Sequence, residues 1–377
     1  MLHIGINGRS IFRQLTGVQH YAREVIHTLC RMESQEIHFS VFAGREGRSG
    51  SEPDLPLETS ALPANGPIRG MIWEQTALKK LAKRAGVDIL FNPANVAPLT
   101  PPVPSVVTIH DLAFLLFPEY FSRTFAAYYR SVIPRIARQA AAVITDSNSS
   151  RNDLIERLGL PEDKIRAVPL GVSPSFRRRI LKADLEQVRR RHKLPPRFFL
   201  SISSLEPRKN LVRLVNAYRL LPPEIAREHA LVLAGAGNRV YADSGLTREL
   251  SLVKDGNVII PGYIPGGDLP SFYRMSTALV FPSLYEGFGL PVLEAMAAST
   301  PVITSNRSSL PEVAGHAAVL IDPESPEEIA AGMELIAADS GTRNLLIERG
   351  KKRAAQFTWE KTAKKTLEIL KTSASSL

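Results

Sequence analysis

The chain has 377 residues, too many for a single hydrophobic core, so two domains are expected. Its 44% hydrophobic and 22% charged residues are those of a packed globular protein and exclude a disordered one. A single cysteine, Cys30, excludes a disulfide framework and a cysteine-rich zinc site, and the net charge of +10 favours anionic partners such as nucleotides, anionic lipid or nucleic acid.

The opening MLHIGINGRS places Asn7 and Arg9 where a secretory signal needs an apolar run, so no cleaved signal is expected. The longest uncharged run, residues 89–109, holds Asn92, Asn95 and five prolines and makes no spanning helix. A soluble cytoplasmic protein is expected, peripheral at most at the inner face of the cell membrane. The runs Arg177–Arg179 and Arg189–Arg191 read first as solvated helix faces. The sharper alternative is attraction to a membrane surface carrying a lipid-linked acceptor.

In chain order, strand-like runs occur at 2–6, 37–42, 88–92, 105–109, 141–145 and 164–168. A second series follows at 198–203, 230–235, 257–260, 277–282, 301–304 and 317–321. Helical patterns lie between most of them, one from Val18 and one from Leu211. This alternation predicts two parallel, doubly wound α/β domains joined near 170–195. Ligands in such domains bind at the carboxyl ends of the strands. Residues 1–175, 176–355 and 356–377 are the expected first domain, second domain and terminal helix, the last packing back on the first domain. Hinge motion is expected around 170–195.

Candidate residues follow the strand ends. Gly17 precedes the first helix, and a lone strand–glycine–helix is common to many turns. His110 and Asp111 close the run 105–109. A lone histidine is more often structural, but a strand's carboxyl end favours hydrogen bonding to a substrate. After 198–203 come Arg208 and Lys209, two cations able to grip a diphosphate as it gains charge; helix-capping charge is the plainer alternative. Gly235 and Gly237 permit close approach of a nucleotide, although GAGNRV lacks the third glycine of a dinucleotide fingerprint.

The most informative string is FPSLYEGFGLPVLEAMA. The run 277–282 ends in a loop, 283–289, and a helix starts near Leu290 with Pro291 in its first turn. Gly287 and Gly289 let backbone N–H groups approach a ligand, and a helix start suits a diphosphate. Glu286, and Glu294 eight residues later, can accept hydrogen bonds from sugar hydroxyls. An ordinary loop with surface acids is the plainer alternative.

This string resembles the E-x7-E region of the family 4 retaining glycosyltransferases. The resemblance spans nearly the whole chain and implies the GT-B fold, two Rossmann-like domains facing a central cleft. It implies that Glu286 contacts the donor sugar and Glu294 the nucleotide ribose. It places Arg208 and Lys209, after Glu-Pro, on the phosphates. Some relatives carry an arginine five residues before Arg208; here Ser203 stands there. Gly17 matches the glycine loop that approaches the donor phosphates, and His110 a histidine beside donor sugar and acceptor. Gly262, Tyr263 and Ile264 match the border of the base, Gly235 lies near the nucleotide, and the backbone of Phe288, Gly289 and Leu290 holds the sugar.

The implied reaction retains the anomeric configuration: the acceptor hydroxyl attacks from the face the leaving group departs, and a donor phosphate oxygen takes the proton. No Asp-x-Asp occurs, so neither metal nor other cofactor is expected. The segments TGVQHYAREV and SLEPRKN look most like bacterial mannosyl- and deoxyhexosyltransferases of surface polysaccharide assembly. GDP-mannose is the leading donor, a UDP-hexose the runner-up, and a saccharide or lipid-linked molecule the acceptor. A nicotinamide-dependent oxidoreductase or epimerase fits the alternation of elements but not the missing fingerprint. Nucleic acid is not an expected partner, since only the charge suggests it.

Overall fold

The computed structural model describes residues 1–12, 17–49, 52, 54–235, 244–253 and 257–375. The chain packs as two units, Met1–Gly171 with Thr358–Leu377, and Val172–Phe357. The boundaries by packing therefore fall at 171/172 and 357/358, against 175/176 and 355/356 from the sequence.

The first unit carries β1 (Leu2–Asn7), β2 (Ile37–Ala43), β3 (Leu57–Thr59), β4 (Ile89–Asn92), β5 (Ser105–Thr108), β6 (Ala142–Thr145) and β7 (Ile165–Ala167). They form one parallel sheet in the order β3-β2-β1-β4-β5-β6-β7. The second unit carries β8 (Phe198–Ile202), β9 (Ala230–Ala234), β10 (Val258–Gly262), β11 (Ala278–Phe281), β12 (Val302–Ser305) and β13 (Val319–Ile321). These are also parallel, in the order β10-β9-β8-β11-β12-β13. All twelve apolar runs of the sequence become strands; β3 is the addition.

The composition of the inner strands explains the sheets. Strands β4, β5, β6, β11 and β12 are buried at every position, which requires apolar runs without polar alternation. Helices cover them. Leu214 and Val215 of one helix meet Leu231, Val280 and Ile303 in the second unit, and Ile133 and Ile136 meet Val107 and Val143 in the first. Each such fully buried aliphatic contributes about 1.5–3 kcal/mol of transfer free energy.

The helices needed below are α1 (Gly17–Cys30), α2 (Leu211–Arg219), α3 (Leu269–Met275), α4 (Leu290–Ala297) and α5 (Trp359–Ser375). Helix α5 packs on α1. It is tied there by Thr362, whose hydroxyl donates to the Pro169 carbonyl at 2.8 Å. A Cβ on Gly171 would collide with the backbone of Thr358 and Trp359, so only glycine allows that crossing.

In each sheet the strand order reverses once, between β1 and β4 and between β8 and β11. At such a switch point the loops leaving the two central strands diverge and open a crevice for a ligand. The loops after β8 and β11 are those that carry Arg208, Lys209 and Glu286.

Candidate functional site

In the second unit the chain after β8 turns through a short 3-10 segment, Pro207–Lys209, and enters α2 at Asn210. Asn210 adopts φ 62, a left-handed conformation that asparagine tolerates better than most residues. Its buried amide donates to the Pro282 carbonyl at 3.1 Å and the Pro323 carbonyl at 2.6 Å. One side chain thus ties together the loops after β8, β11 and β13. The Leu284 N–H adds a bond to the Arg208 carbonyl at 2.8 Å.

These ties bring the charged residues onto one another. Lys209 Nζ donates to Glu286 Oε1 at 2.5 Å, and Arg208 Nη1 to Glu286 Oε2 at 3.0 Å. Arg208 Nε donates to Glu206 Oε2 at 2.7 Å, and Ser204 Oγ to Glu206 Oε1 at 2.7 Å. The three central side chains are only 10–14% exposed, so the charges act in a weakly screening medium. Burial pushes the Glu286 carboxyl up, but Lys209 and Arg208 outweigh it and hold it down at about 2. Burial and the neighbouring Arg208 lower the Lys209 ammonium, and Glu286 partly restores it. Glu206 is likewise lowered by Arg208 and Lys209 against its burial. Two cations and two carboxylates make a neutral cluster. The residues expected on the phosphates and the residue expected on the sugar are therefore paired with each other.

Beyond Glu286 the backbone turns into α4. Gly289 caps the helix at φ 108, and a Cβ there would lie 2.6 Å from Leu310, so glycine is required twice over. The N–H groups of Phe288, Gly289 and Leu290 have no hydrogen-bond partner among the described residues. They offer donors and the partial positive charge of a helix start. One turn into α4, Glu294 is buried and accepts from the Tyr273 hydroxyl of α3 at 2.7 Å. Burial raises this carboxyl to about 7. Burial, then the Glu294 charge, raise the Tyr273 phenol well above its ordinary value.

Gly235 follows β9 with φ 85, donates to the Gly262 carbonyl at 2.9 Å, and leaves 3.0 Å between a hypothetical Cβ and the Ser203 carbonyl oxygen. Gly262 has φ 79; beside it Tyr263 is 58% exposed, whereas Ile264 is buried. Gly237 lies outside the described residues.

In the first unit His110 follows β5. Its N–H donates to Asn95 Oδ1 at 2.9 Å. Its ring is buried, with Nδ1 2.7 Å from Asp146 Oδ2 and Nε2 3.1 Å from the Pro93 carbonyl oxygen. The Pro93 carbonyl accepts the Nε2 proton, and Nδ1 shares a proton with Asp146, whose own carboxyl burial raises. Burial opposes a charge on the ring, but Asp146 prevails and raises His110 above its ordinary value. Tyr21 of α1 meets the ring edge-on at 4.7 Å between centroids. Gly17 lies one turn before Tyr21, at the start of α1, and a Cβ there would meet nothing within 4 Å. Packing among the described residues does not require that glycine.

The sequence singled out Arg208, Lys209 and Glu286 but not their contact, which joins residues 77 and 78 apart. It also gave no signal for Asn210, Tyr273, Asp146 or the serines that grip the Glu286 loop. Among the described residues no group of three or more His, Cys, Asp or Glu side chains could hold a metal ion. No helix among them is long and apolar enough to cross a membrane.

Comparison with known proteins covers both units. The family "Glycosyltransferase Family 4" matches residues 15–176, and "Glycosyl transferases group 1" matches residues 184–353. O-antigen chain mannosyltransferase B of Escherichia coli is 33% identical over 268 residues, 71% of this chain and 70% of that protein. The serotype-specific mannosyltransferase WbdA of Escherichia coli is 31% identical over 270 residues; these are 70% of this chain but 32% of that longer protein. In fold, the chain is similar to Anabaena HepE, solved with UDP and glucose, with a TM-score of 0.75 at 20% identity over the whole of both chains.

Proposed function

This chain belongs to the group 1, family 4 glycosyltransferases and has their GT-B fold, and from that membership we propose that it moves mannose from GDP-mannose to a saccharide or lipid-linked acceptor in surface polysaccharide synthesis, with retention at the anomeric carbon. The single observation that carries the reading is the buried Arg208–Lys209–Glu286 cluster at the switch point of the second sheet. The choice of mannose follows the names of the relatives matched over most of this chain.

Entry of the donor exchanges partners within the cluster. Arg208 and Lys209 turn to the diphosphate, and the Glu286 carboxylate is released to accept from sugar hydroxyls. In the free protein Lys209 and Arg208 hold Glu286 at about 2 against its burial, so the carboxylate is ionised when the donor enters and is ready to accept hydrogen bonds. The N–H groups of Phe288, Gly289 and Leu290, without a partner among the described residues, hold the sugar and set fixed positive potential beside the bond that breaks. As the bond from the anomeric carbon to the diphosphate breaks, two negative charges become three, and these groups stabilise the increase without reorganising. The acceptor oxygen bonds to the same face, and its proton passes to a donor phosphate oxygen. In this reading the cations do the work for which other transferases use a metal ion.

Glu294, once ionised, accepts from the ribose hydroxyls, and Tyr263 and Ile264 border the base. His110 is assigned a hydrogen bond from Nε2 to a sugar hydroxyl in place of the Pro93 carbonyl, with Nδ1 held by Asp146. Gly17 is assigned the approach of a phosphate, because no side chain among the described residues competes for its space. The net charge of +10 suits work at an anionic membrane surface from the cytoplasmic side.

Thermal unfolding with GDP-mannose, UDP-glucose and NAD, each with EDTA, tests the reading. Stabilisation by GDP-mannose alone supports it. Stabilisation by UDP-glucose alone moves the donor to a UDP-hexose, and stabilisation by NAD alone overturns the transferase chemistry.

A further inference from the structure

The loop that presents Glu286 contains Gly287 and Gly289, two residues that widen the backbone's choice of conformations. A loop so composed does not hold a carboxylate still by itself. Its restraint comes from Ser308 and Ser309, in the turn between β12 and the helix beginning at Leu310. Ser308 Oγ accepts from the Glu286 N–H at 3.0 Å and donates to the Glu286 carbonyl at 2.5 Å. Ser309 Oγ, fully buried, lies 2.7 Å from the Phe288 carbonyl and 2.9 Å from that of Glu286. Ser309 donates its one proton to the nearer of its two carbonyls, that of Phe288.

The backbone at Ser308 is unusual. Its φ is 58, in the left-handed region where a side chain is strained and glycine is not. A residue selected for the turn alone would be glycine. What serine adds is a hydroxyl, and that hydroxyl is wholly committed to Glu286. Strain of this kind persists where the surrounding structure uses it. The clamp also sets the direction of a peptide group. In a trans peptide the C=O and the following N–H point to opposite sides. With the Phe288 carbonyl held by Ser309, the Gly289 N–H faces away from the serines, where it has no partner among the described residues.

We propose that Ser308, assisted by Ser309, is a positioning residue for glycosyl transfer: it locks the Glu286–Phe288 backbone so that the carboxylate and the adjoining N–H groups meet the sugar at a fixed place. This rests on the reading of Glu286 as the partner of the donor sugar. Neither serine touches the reacting atoms. Their loss therefore acts on the reacting geometry more than on nucleotide affinity, which depends on Arg208, Lys209 and Glu294.

The test compares Ser308→Gly, Ser309→Ala and Glu286→Gln with wild type. GDP release from GDP-mannose is measured beside GDP affinity and melting temperature. Ser308→Gly removes the strain and the clamp together. Its melting temperature stays within about 4 °C of wild type and its GDP affinity within about threefold, while kcat falls about tenfold to a hundredfold, the scale of a misplaced reacting group. Ser309→Ala leaves Ser308 in place and lowers kcat by itself, which keeps the idea testable should Ser308→Gly unfold. Unchanged kcat in both serine variants, with Glu286→Gln inactive, overturns the positioning role. Unchanged kcat in Glu286→Gln overturns the reading beneath it. Loss of GDP affinity in parallel with kcat, at a lowered melting temperature, reduces the serines to structural residues and also refutes the proposal.

Discussion

Glu294 provides a pH test that separates its environment from the rest of the site. A buried carboxyl raised to about 7 is about 90% protonated at pH 6 in the free protein. Because the folded state holds that proton more tightly than the unfolded chain, the associated stability is full below the ordinary value of 4.5. It is lost as pH rises through about 7. The loss between pH 5 and pH 8 is roughly 2–3 kcal/mol, and Glu294→Gln, which cannot ionise, abolishes it. Ribose hydroxyls donate best to the ionised form, so nucleotide binding expels the proton. Affinity for GDP then rises roughly tenfold from pH 6 to pH 8. Titration calorimetry in two buffers of different ionisation enthalpy measures the proton directly, about one released at pH 6 and almost none at pH 8. The diphosphate titrates as well, so the decisive quantity is the difference between wild type and Glu294→Gln. Equal proton release and equal pH dependence in the two proteins would refute the assignment of Glu294 to the ribose.

Three further predictions follow from the geometry. Glu286→Gln frees Arg208 and Lys209 from their buried partner, so GDP binds at least as tightly as to wild type while turnover falls about a hundredfold or more; weaker GDP binding in calorimetry contradicts the exchange of partners. Asn210→Ala leaves two carbonyls unpaired and puts alanine at φ 62, which costs about 2–4 kcal/mol of stability in urea unfolding; a loss below about 1 kcal/mol contradicts the role of Asn210 as a tie. Asp146→Asn removes the carboxyl that raises His110, so the His110 ring titrates below its ordinary 6.5 by NMR instead of above it; an unchanged midpoint contradicts the coupling of His110 to Asp146.

Much of the fold was legible because parallel sheets are buried on both faces. Runs such as ALVF of β11 and AVIT of β6 have no polar alternation, and the structure buries all four positions of each. Strand β3 escaped because it is three residues long, lies at the sheet edge and is only partly buried, so LET carries no apolar signature. The candidate residues were legible as types at strand ends, where a motif and its neighbours in sequence suffice. Their partners were not. Glu286 meets Lys209 across 77 residues and Ser308 across 22, contacts that only the strand order creates. The state of His110 was likewise hidden, because Asp146 and Pro93 reach it from the ends of other strands. Asn210 and Ser308 are fixed by backbone conformation, and neither asparagine before a helix nor serine in a turn announces a positive φ.

The central claim is retaining mannosyl transfer from GDP-mannose by a cluster of protein cations. The most direct measurement follows GDP-α-mannose by proton NMR in EDTA, with wild-type protein and water as the acceptor, and reads the first mannose anomer to appear before it equilibrates. The account predicts α-mannose released at a rate unchanged by EDTA. Release of β-mannose, or release that requires added magnesium, would contradict it.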